Sequence, residues 1–181
     1  QKGWYCVGCE EFKDNPENSP TYKCPIHQKN LEWKNEENLF FKLSKYQSQI
    51  ENLINDPSFI QPKERRNEII NFVSKGLKDF SISRTNVSWG ISVPDIQNHT
   101  FYVWFDALLG YVSAISLDMK TPSLEQSINN GWPADIHLIG KDILRFHAVY
   151  WPAMLLSAQM KLPKKVFGHG FLTREGQKMG K

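Results

Sequence analysis

Ile136-His137-Leu138-Ile139, followed at once by Gly140-Lys141-Asp142 and then Ile143, has the composition of a parallel strand that hands over through a tight turn to a helix. The apolar run predicts a strand buried on both faces. The helix is predicted to run from Ile143 to about Met160. Lys165-Val166-Phe167-Gly168-His169 is predicted to form a further short strand beyond it, and strand, glycine turn, helix, strand is the grammar of a βαβ unit in a doubly wound α/β sheet. Upstream, Phe101-Tyr102-Val103-Trp104-Phe105 is a continuous apolar run and is predicted to be another strand buried on both faces.

Ahead of these strands the pattern is helical. Leu39, Leu43, Tyr46, Ile50, Leu53 and Ile54 form one stripe, predicting a helix from Glu36 to Asn55 that Asp56-Pro57 stops. Pro62 opens a second helix with Ile69, Phe72, Val73 and Leu77 on one face, and residues 81–98 read as irregular or weakly stranded. The first thirty residues are loop-like, punctuated by Gly3, Gly8, Pro16, Pro20 and Pro25. Two regions are predicted, 1–98 and 99–181, with the boundary near residues 95–100.

The chain of 181 residues is 40% hydrophobic and 13% aromatic, enough for a packed core. A net charge of +3 with pI ≈ 8.7, and no dense Lys/Arg block, permits a nucleic-acid partner without arguing for one. No apolar run approaches the roughly 20 residues of a membrane span, and no signal-peptide core opens the chain, so a soluble, intracellular protein is predicted.

Cys6, Cys9, Cys24 and His27 have the spacing C-x2-C-x14-C-x2-H, two knuckles that supply four N/S ligands to one closed, tetrahedral, structural zinc. The competing reading is one disulfide plus a free thiol in a secreted protein; the odd cysteine count and the missing signal peptide weigh against it. Gly140 lets the backbone approach a ligand closely, while Asp142 could cap the helix or accept from ribose hydroxyls. Ile143, His147 and Trp151 fall at i, i+4, i+8 on one stripe, where His147 is either a satisfied core histidine or a functional one. Pro152 predicts a bend in that helix. Lys178 and Lys181, three apart in the Gly-bounded Gly176-Gln177-Lys178-Met179-Gly180-Lys181, read as a solvated loop or as a mobile arm that brings ammonium groups to a polyphosphate.

Taken together the motifs resemble the methionyl-tRNA synthetases of the bacterial or organellar type, along essentially the whole chain. The resemblance rests on Gly3-Trp4-Tyr5-Cys6 with its knuckles, Phe40-Phe41-Lys42-Leu43-Ser44, Ser81-Ile82-Ser83-Arg84-Thr85, Tyr102-Val103-Trp104-Phe105-Asp106-Ala107, and Ile139-Gly140-Lys141-Asp142-Ile143. Phe146-His147, Trp151-Pro152-Ala153, His169-Gly170 and Lys178-Met179-Gly180-Lys181 complete it. The family's closing motif reads Lys-Met-Ser-Lys-Ser; here Gly180 takes the third place, removing a hydroxyl but no charge.

The resemblance implies an α/β fold: the second half of a Rossmann-type class I synthetase catalytic domain, plus most of a zinc-knuckle connective insertion. It also implies an internal fragment. The family's His-x-Gly-His half would precede Gln1 and its anticodon-binding domain would follow Lys181, and the fragment alone would be inactive. The implied activity is methionine–tRNA ligase: ATP-dependent formation of methionyl-adenylate, then transfer to tRNA(Met), with Mg(2+) accompanying ATP. The implied methionine pocket is Trp104, Ala107, Leu108, Tyr111, Ile143, His147 and Trp151, with Leu108 the less secure because some members carry proline there. Gly140, Asp142, His169, Gly170, Leu172 and Lys181 would hold ATP, and Lys181 with Lys178 would serve the phosphates. The compartment implied is the cytoplasm, or a mitochondrion or plastid given an upstream transit peptide. Alternatives are another class I synthetase, for leucine, valine, isoleucine or cysteine, and a non-catalytic zinc-knuckle nucleic-acid binding module.

Overall fold

The computed structural model describes residues 2–8, 11–15, 19, 21–85, 87, 89–116 and 123–179, with Glu11, Gln177 and Lys178 described by backbone alone. Cys9, Gly180 and Lys181 lie outside the described residues. In chain order the strands are β1 (Lys2–Cys6), β2 (Glu11–Lys13), β3 (Glu32–Asn35), β4 (Phe40–Phe41), β5 (Ile60–Gln61), β6 (Phe80–Ser81), β7 (Ser83–Arg84), β8 (Thr100–Phe101), β9 (Ile136–Gly140), β10 (Lys165–His169), β11 (Thr173–Arg174) and β12 (Gln177–Lys178). The helices are α1 (Gln47–Asn55), α2 (Lys63–Val73), α3 (Val103–Ala114), α4 (Leu124–Asn129) and α5 (Trp151–Ser157).

The chain divides into two compact units, 1–40 with 81–102, and 41–80 with 103–181. Residues 41–80 thus pack with the later part of the chain, across the boundary expected near residues 95–100. The physical reason is a strand too short to announce itself. β5 pairs in parallel with β10, Val166 opposite Ile60 and Phe167 opposite Gln61, and this non-local pairing ties the 41–80 excursion to the β9–β10 sheet.

In the first unit β1 lies between β2 and β3, both antiparallel to it. Its aromatic residues pair across the sheet, Trp4 edge-on to Trp33 at 5.3 Å and Tyr5 edge-on to Phe12 at 5.1 Å. β7 pairs antiparallel with β8, and the Arg84 guanidinium lies 4.1 Å over the Tyr102 ring.

In the second unit β10 is central in the parallel order β5-β10-β9. Ile60, Ile139 and Val166 on its covered face meet Ile50 and Ile54 from α1 and Ile69 and Val73 from α2, each helix offering an i, i+4 pair. The two helices complete each other's ends. Arg66 donates from Nε to the Ile54 carbonyl and from Nη2 to that of Asn55, while Gln47 donates to the Val73 carbonyl and accepts from the Leu77 amide. These are the terminal groups that a helix cannot satisfy internally.

Four further expectations change. β9 is buried on one face only: His137 and Ile139 point into the core, whereas Ile136 and Leu138 are 55% and 69% exposed. The run Phe101–Phe105 is not a strand. β8 ends at Phe101 and α3 begins at Val103, because Phe105, Leu108, Val112 and Ile115 share a helical stripe that five apolar residues alone do not reveal. The helix predicted from Glu36 starts later, with a 3-10 turn at Leu43–Tyr46 followed by α1. Asp79 anchors that turn, accepting from the Ser44 amide at 3.1 Å and its hydroxyl at 2.7 Å. Finally, the helix predicted after Ile143 is a 3-10 turn at Lys141–Ile143, a π turn at Phe146–Tyr150 and then α5. Pro152 has no N–H to offer the carbonyl four residues back, so the ladder widens and the Trp151 amide bonds to the Phe146 carbonyl. Among the described residues no helix is long and apolar enough to cross a membrane.

Ile69 is fully buried where α2 meets the sheet. Ile69→Ala in the whole protein is expected to cost about 2–5 kcal/mol, read as a lowered urea midpoint at unchanged m-value.

Candidate functional site

The second unit gathers an aromatic cluster against β9 and the segment that follows it. From α3 come Trp104 and Tyr111, from the π turn Phe146 and His147, from α5 Trp151, and from β9 His137. Trp104 stacks on Phe146 with ring centroids 4.3 Å apart. Tyr111 lies 4.5 Å from the His137 ring, and its hydroxyl is 2.7 Å from His147 Nε2. Ile143 is half-buried beside this group, Ala107 is exposed, and Leu108 is 2% exposed, packed inward with Val112, Trp132 and Trp151.

The hydrogen bonds fix the protons. His147 Nδ1 lies 3.0 Å from the Ile143 carbonyl, which can only accept, so Nδ1 carries the hydrogen and Nε2 is bare. The Tyr111 hydroxyl therefore donates to Nε2. Burial pushes the His147 imidazole below the ordinary histidine range, against the pull of the Ile143 carbonyl, and pushes the Tyr111 phenol upward. Both are neutral at physiological pH. Burial, with the nearby His147 charge opposing a second one, brings His137 down to about 4. His137 and Phe146 were not singled out as site residues from sequence. His137 is a polar letter in an apolar strand next to a quoted motif, and Phe146 stands inside the quoted Phe146-His147 pair.

At the neighbouring turn the β9–β10 register sets Gly140 opposite His169. A Cβ on Gly140 would lie 2.6 Å from Asp142 Oδ1, so only glycine allows that carboxylate its place over the strand end. His169 Nδ1 donates to the Gly170 carbonyl at 2.6 Å. Lys141 Nζ sits 4.5 Å over the Phe171 ring, and Leu172 is 69% exposed. The lysine arm is more ordered than a loop: β11 and β12 form a hairpin whose turn residues, Glu175 and Gly176, both have positive φ. Lys178 lies on β12; Lys181 is outside the described residues.

In the first unit Cys6, Cys24 and His27 form a candidate metal site, with ligand atoms within 4.8 Å of one another. Cys9, the remaining member of the expected set, is outside the described residues. The tip is a tight turn, the Gln28 amide bonding the Cys24 carbonyl at 2.8 Å. Both thiols are buried and free of disulfides. Burial alone would push the Cys24 thiol up, but amide and side-chain hydrogen bonds from His27, with the Ile26 amide and Cys6, bring it down to about 6. A Cys24 thiol held toward its thiolate, beside a second thiol and an imidazole, suits a soft divalent cation. A Cβ on Gly8 would strike the His27 ring at 2.9 Å, so the first knuckle needs glycine there.

A family model described as tRNA synthetases class I (M) matches residues 1–181. The methionine–tRNA ligase of Nostoc sp. is 62% identical over 183 residues, covering 100% of this chain and 34% of that protein. The chloroplastic/mitochondrial methionine–tRNA ligase of Arabidopsis thaliana is 58% identical over 181 residues, covering 99% of this chain and 29% of that protein. Among solved structures, Mycobacterium tuberculosis methionyl-tRNA synthetase in complex with methionyl-adenylate superimposes with a TM-score of 0.82 at 43% identity, over 99% of this chain and 35% of that one. The chain thus spans about a third of the length of the curated relatives it matches.

The His137 shift makes stability depend on pH in a set direction. An unfolded imidazole titrates near 6.5 and the folded one at about 4, so between these values only the unfolded state holds the proton. Stability is therefore full above about pH 6.5 and falls as the pH drops toward 4, by up to about 1.4 kcal/mol per unit for this group. His137→Gln should flatten that slope in urea titrations between pH 7 and 5.

Proposed function

Because the chain belongs to the class I tRNA synthetases (M), we propose that it is the amino-acid- and adenylate-binding portion of a methionine–tRNA ligase. The complete enzyme would activate methionine with ATP to methionyl-adenylate and pass the acyl group to tRNA(Met). One observation carries the reading: a neutral Tyr111–His147 pair, surrounded by aromatic rings, adjoins the Gly140–Asp142 turn at the carboxyl ends of parallel strands. An unbranched thioether suits such rings, since sulfur is polarisable and packs well at their edges.

Trp104, Ala107, Tyr111, Ile143, His147 and Trp151 would surround the methionine side chain, with Leu108 supporting them from below. With His147 Nδ1 committed to Ile143 and the one Tyr111 hydroxyl hydrogen committed to His147 Nε2, the pair would meet the thioether as fixed, uncharged rings rather than as hydrogen-bond donors. Gly140 and Asp142 would take the ribose hydroxyls, His169 and Gly170 would lie along ATP, and Leu172 would pack near adenine.

The activation step needs no general base, because the amino-acid carboxylate is already ionised when it attacks the α-phosphorus. It needs alignment and compensation of the charge moving onto pyrophosphate, the role assigned to Lys181 with Lys178 on its hairpin and to Mg(2+) accompanying ATP. Gly180 in place of serine leaves that charge intact.

The first unit would be the zinc-bearing connective insertion. Cys6, Cys9, Cys24 and His27 would close a tetrahedral site whose role is to hold the knuckles folded. The second unit would be the later half of the Rossmann-type domain. Supporting this is the exposed apolar strip Ile136, Leu138 and Phe167, on a parallel sheet whose kind is ordinarily covered on both faces.

In the full-length enzyme, Trp104→Ala and His147→Ala should each raise the methionine KM or lower kcat in ATP–pyrophosphate exchange, by about tenfold or more. Unchanged kinetics in both would remove the pocket. Metal analysis should find one zinc per chain, lost in Cys24→Ser together with first-unit stability.

A further inference from the structure

The cluster contains two buried indoles, and they satisfy their N–H groups differently. Trp132 donates to a main-chain acceptor, the Lys161 carbonyl at 2.8 Å, which suffices for packing. Trp151 is 1% exposed and donates instead to a side chain, His137 Nε2, at 3.2 Å. His137 is itself 5% exposed, and its ring meets Tyr111 at 4.5 Å and His147 at 5.7 Å. One imidazole thus touches three residues assigned to the methionine pocket while belonging to the strand behind them.

The bond fixes a proton here too. Indole nitrogen can only donate, so His137 Nε2 is bare and any ring hydrogen is on Nδ1. The imidazole acts as an acceptor on a rigid strand, at a depth where an unmatched indole N–H would be costly. From these contacts we propose that His137 is a positioning residue for amino-acid recognition: it anchors the Trp151 indole and, by ring contact, sets the angle of the Tyr111 ring. His137 does not touch the substrate; it acts through Trp151 and Tyr111. The inference rests on the pocket reading given above.

Four variants of the full-length enzyme test it: His137→Leu, His137→Gln, His137→Asn and Trp151→Phe, with Trp104→Ala alongside. His137→Leu removes the acceptor, Gln can carry an amide oxygen to about the place of Nε2, and Asn is too short. The expected result is a rise of about tenfold in methionine KM for His137→Leu and His137→Asn, with kcat and ATP KM little changed. His137→Gln should restore most of the affinity, and in a Trp151→Phe background His137→Leu should add a smaller loss than it causes alone, since the N–H it serves has gone and only the Tyr111 ring contact remains. The proposal is overturned if all three His137 variants keep the normal methionine KM, if Gln and Leu are equally impaired, or if ATP KM rises as much as methionine KM. Should His137→Leu fail to fold, the Gln-against-Asn comparison decides, equal values overturning it. A methionine KM raised in Trp104→Ala but normal in the His137 variants sinks only this inference. A normal value in Trp104→Ala sinks the pocket reading itself.

Discussion

Pro152 cannot donate a backbone hydrogen bond, and the arrangement of the second unit follows from where that missing bond falls. Placed just after Trp151, it widens the ladder so that the Trp151 amide reaches the Phe146 carbonyl. The bulged turn carries Phe146 against Trp104 and keeps His147 within reach of both the Ile143 carbonyl and the Tyr111 hydroxyl. The neighbouring core tolerates this because Ala148, Val149 and Ala153 are small and fully buried against the sheet. A local backbone deficit is thus converted into a fixed set of ring orientations.

The electrostatics of the cluster run against the usual image of a catalytic histidine. Both imidazoles are neutral, both have a bare Nε2, and both accept from an aromatic residue's polar hydrogen. Dry surroundings set this state and the proximity of the two rings reinforces it, since charging one opposes charging the other. Such a site recognises shape and polarisability. In the proposed reading charge falls instead to the strand ends and the lysine hairpin, as would suit a reaction whose nucleophile arrives already ionised.

How much of this could be read from the residues depended on range. β10 was legible to the residue, and β9 nearly so, because each is a short apolar run beside glycine. The bend at Pro152 was legible as a cause, though not in its π form. The run at Phe101–Phe105 misled because five apolar residues have no measurable period, and the helix declares itself only through Leu108, Val112 and Ile115. The grouping of 41–80 with 103–181 depends on the two-residue β5 pairing across more than a hundred positions, which no local pattern encodes. Of the clustered residues, His147 and Trp151 were singled out through motif and spacing, and Tyr111 through the family resemblance. His137 was not, since a histidine in a strand gains its meaning only from the indole it faces.

The one-sided burial of β9 has a consequence for biogenesis. Among the described residues β9 pairs only with β10, and it displays Ile136 and Leu138 beside Phe167. An outer strand with a naked apolar strip is a template for adventitious pairing. While that strip stands bare on the ribosome or in a truncated product, self-association competes with folding. How far this sheet stays soluble then depends on how long the strip is left bare, a kinetic constraint distinct from any bond in its core.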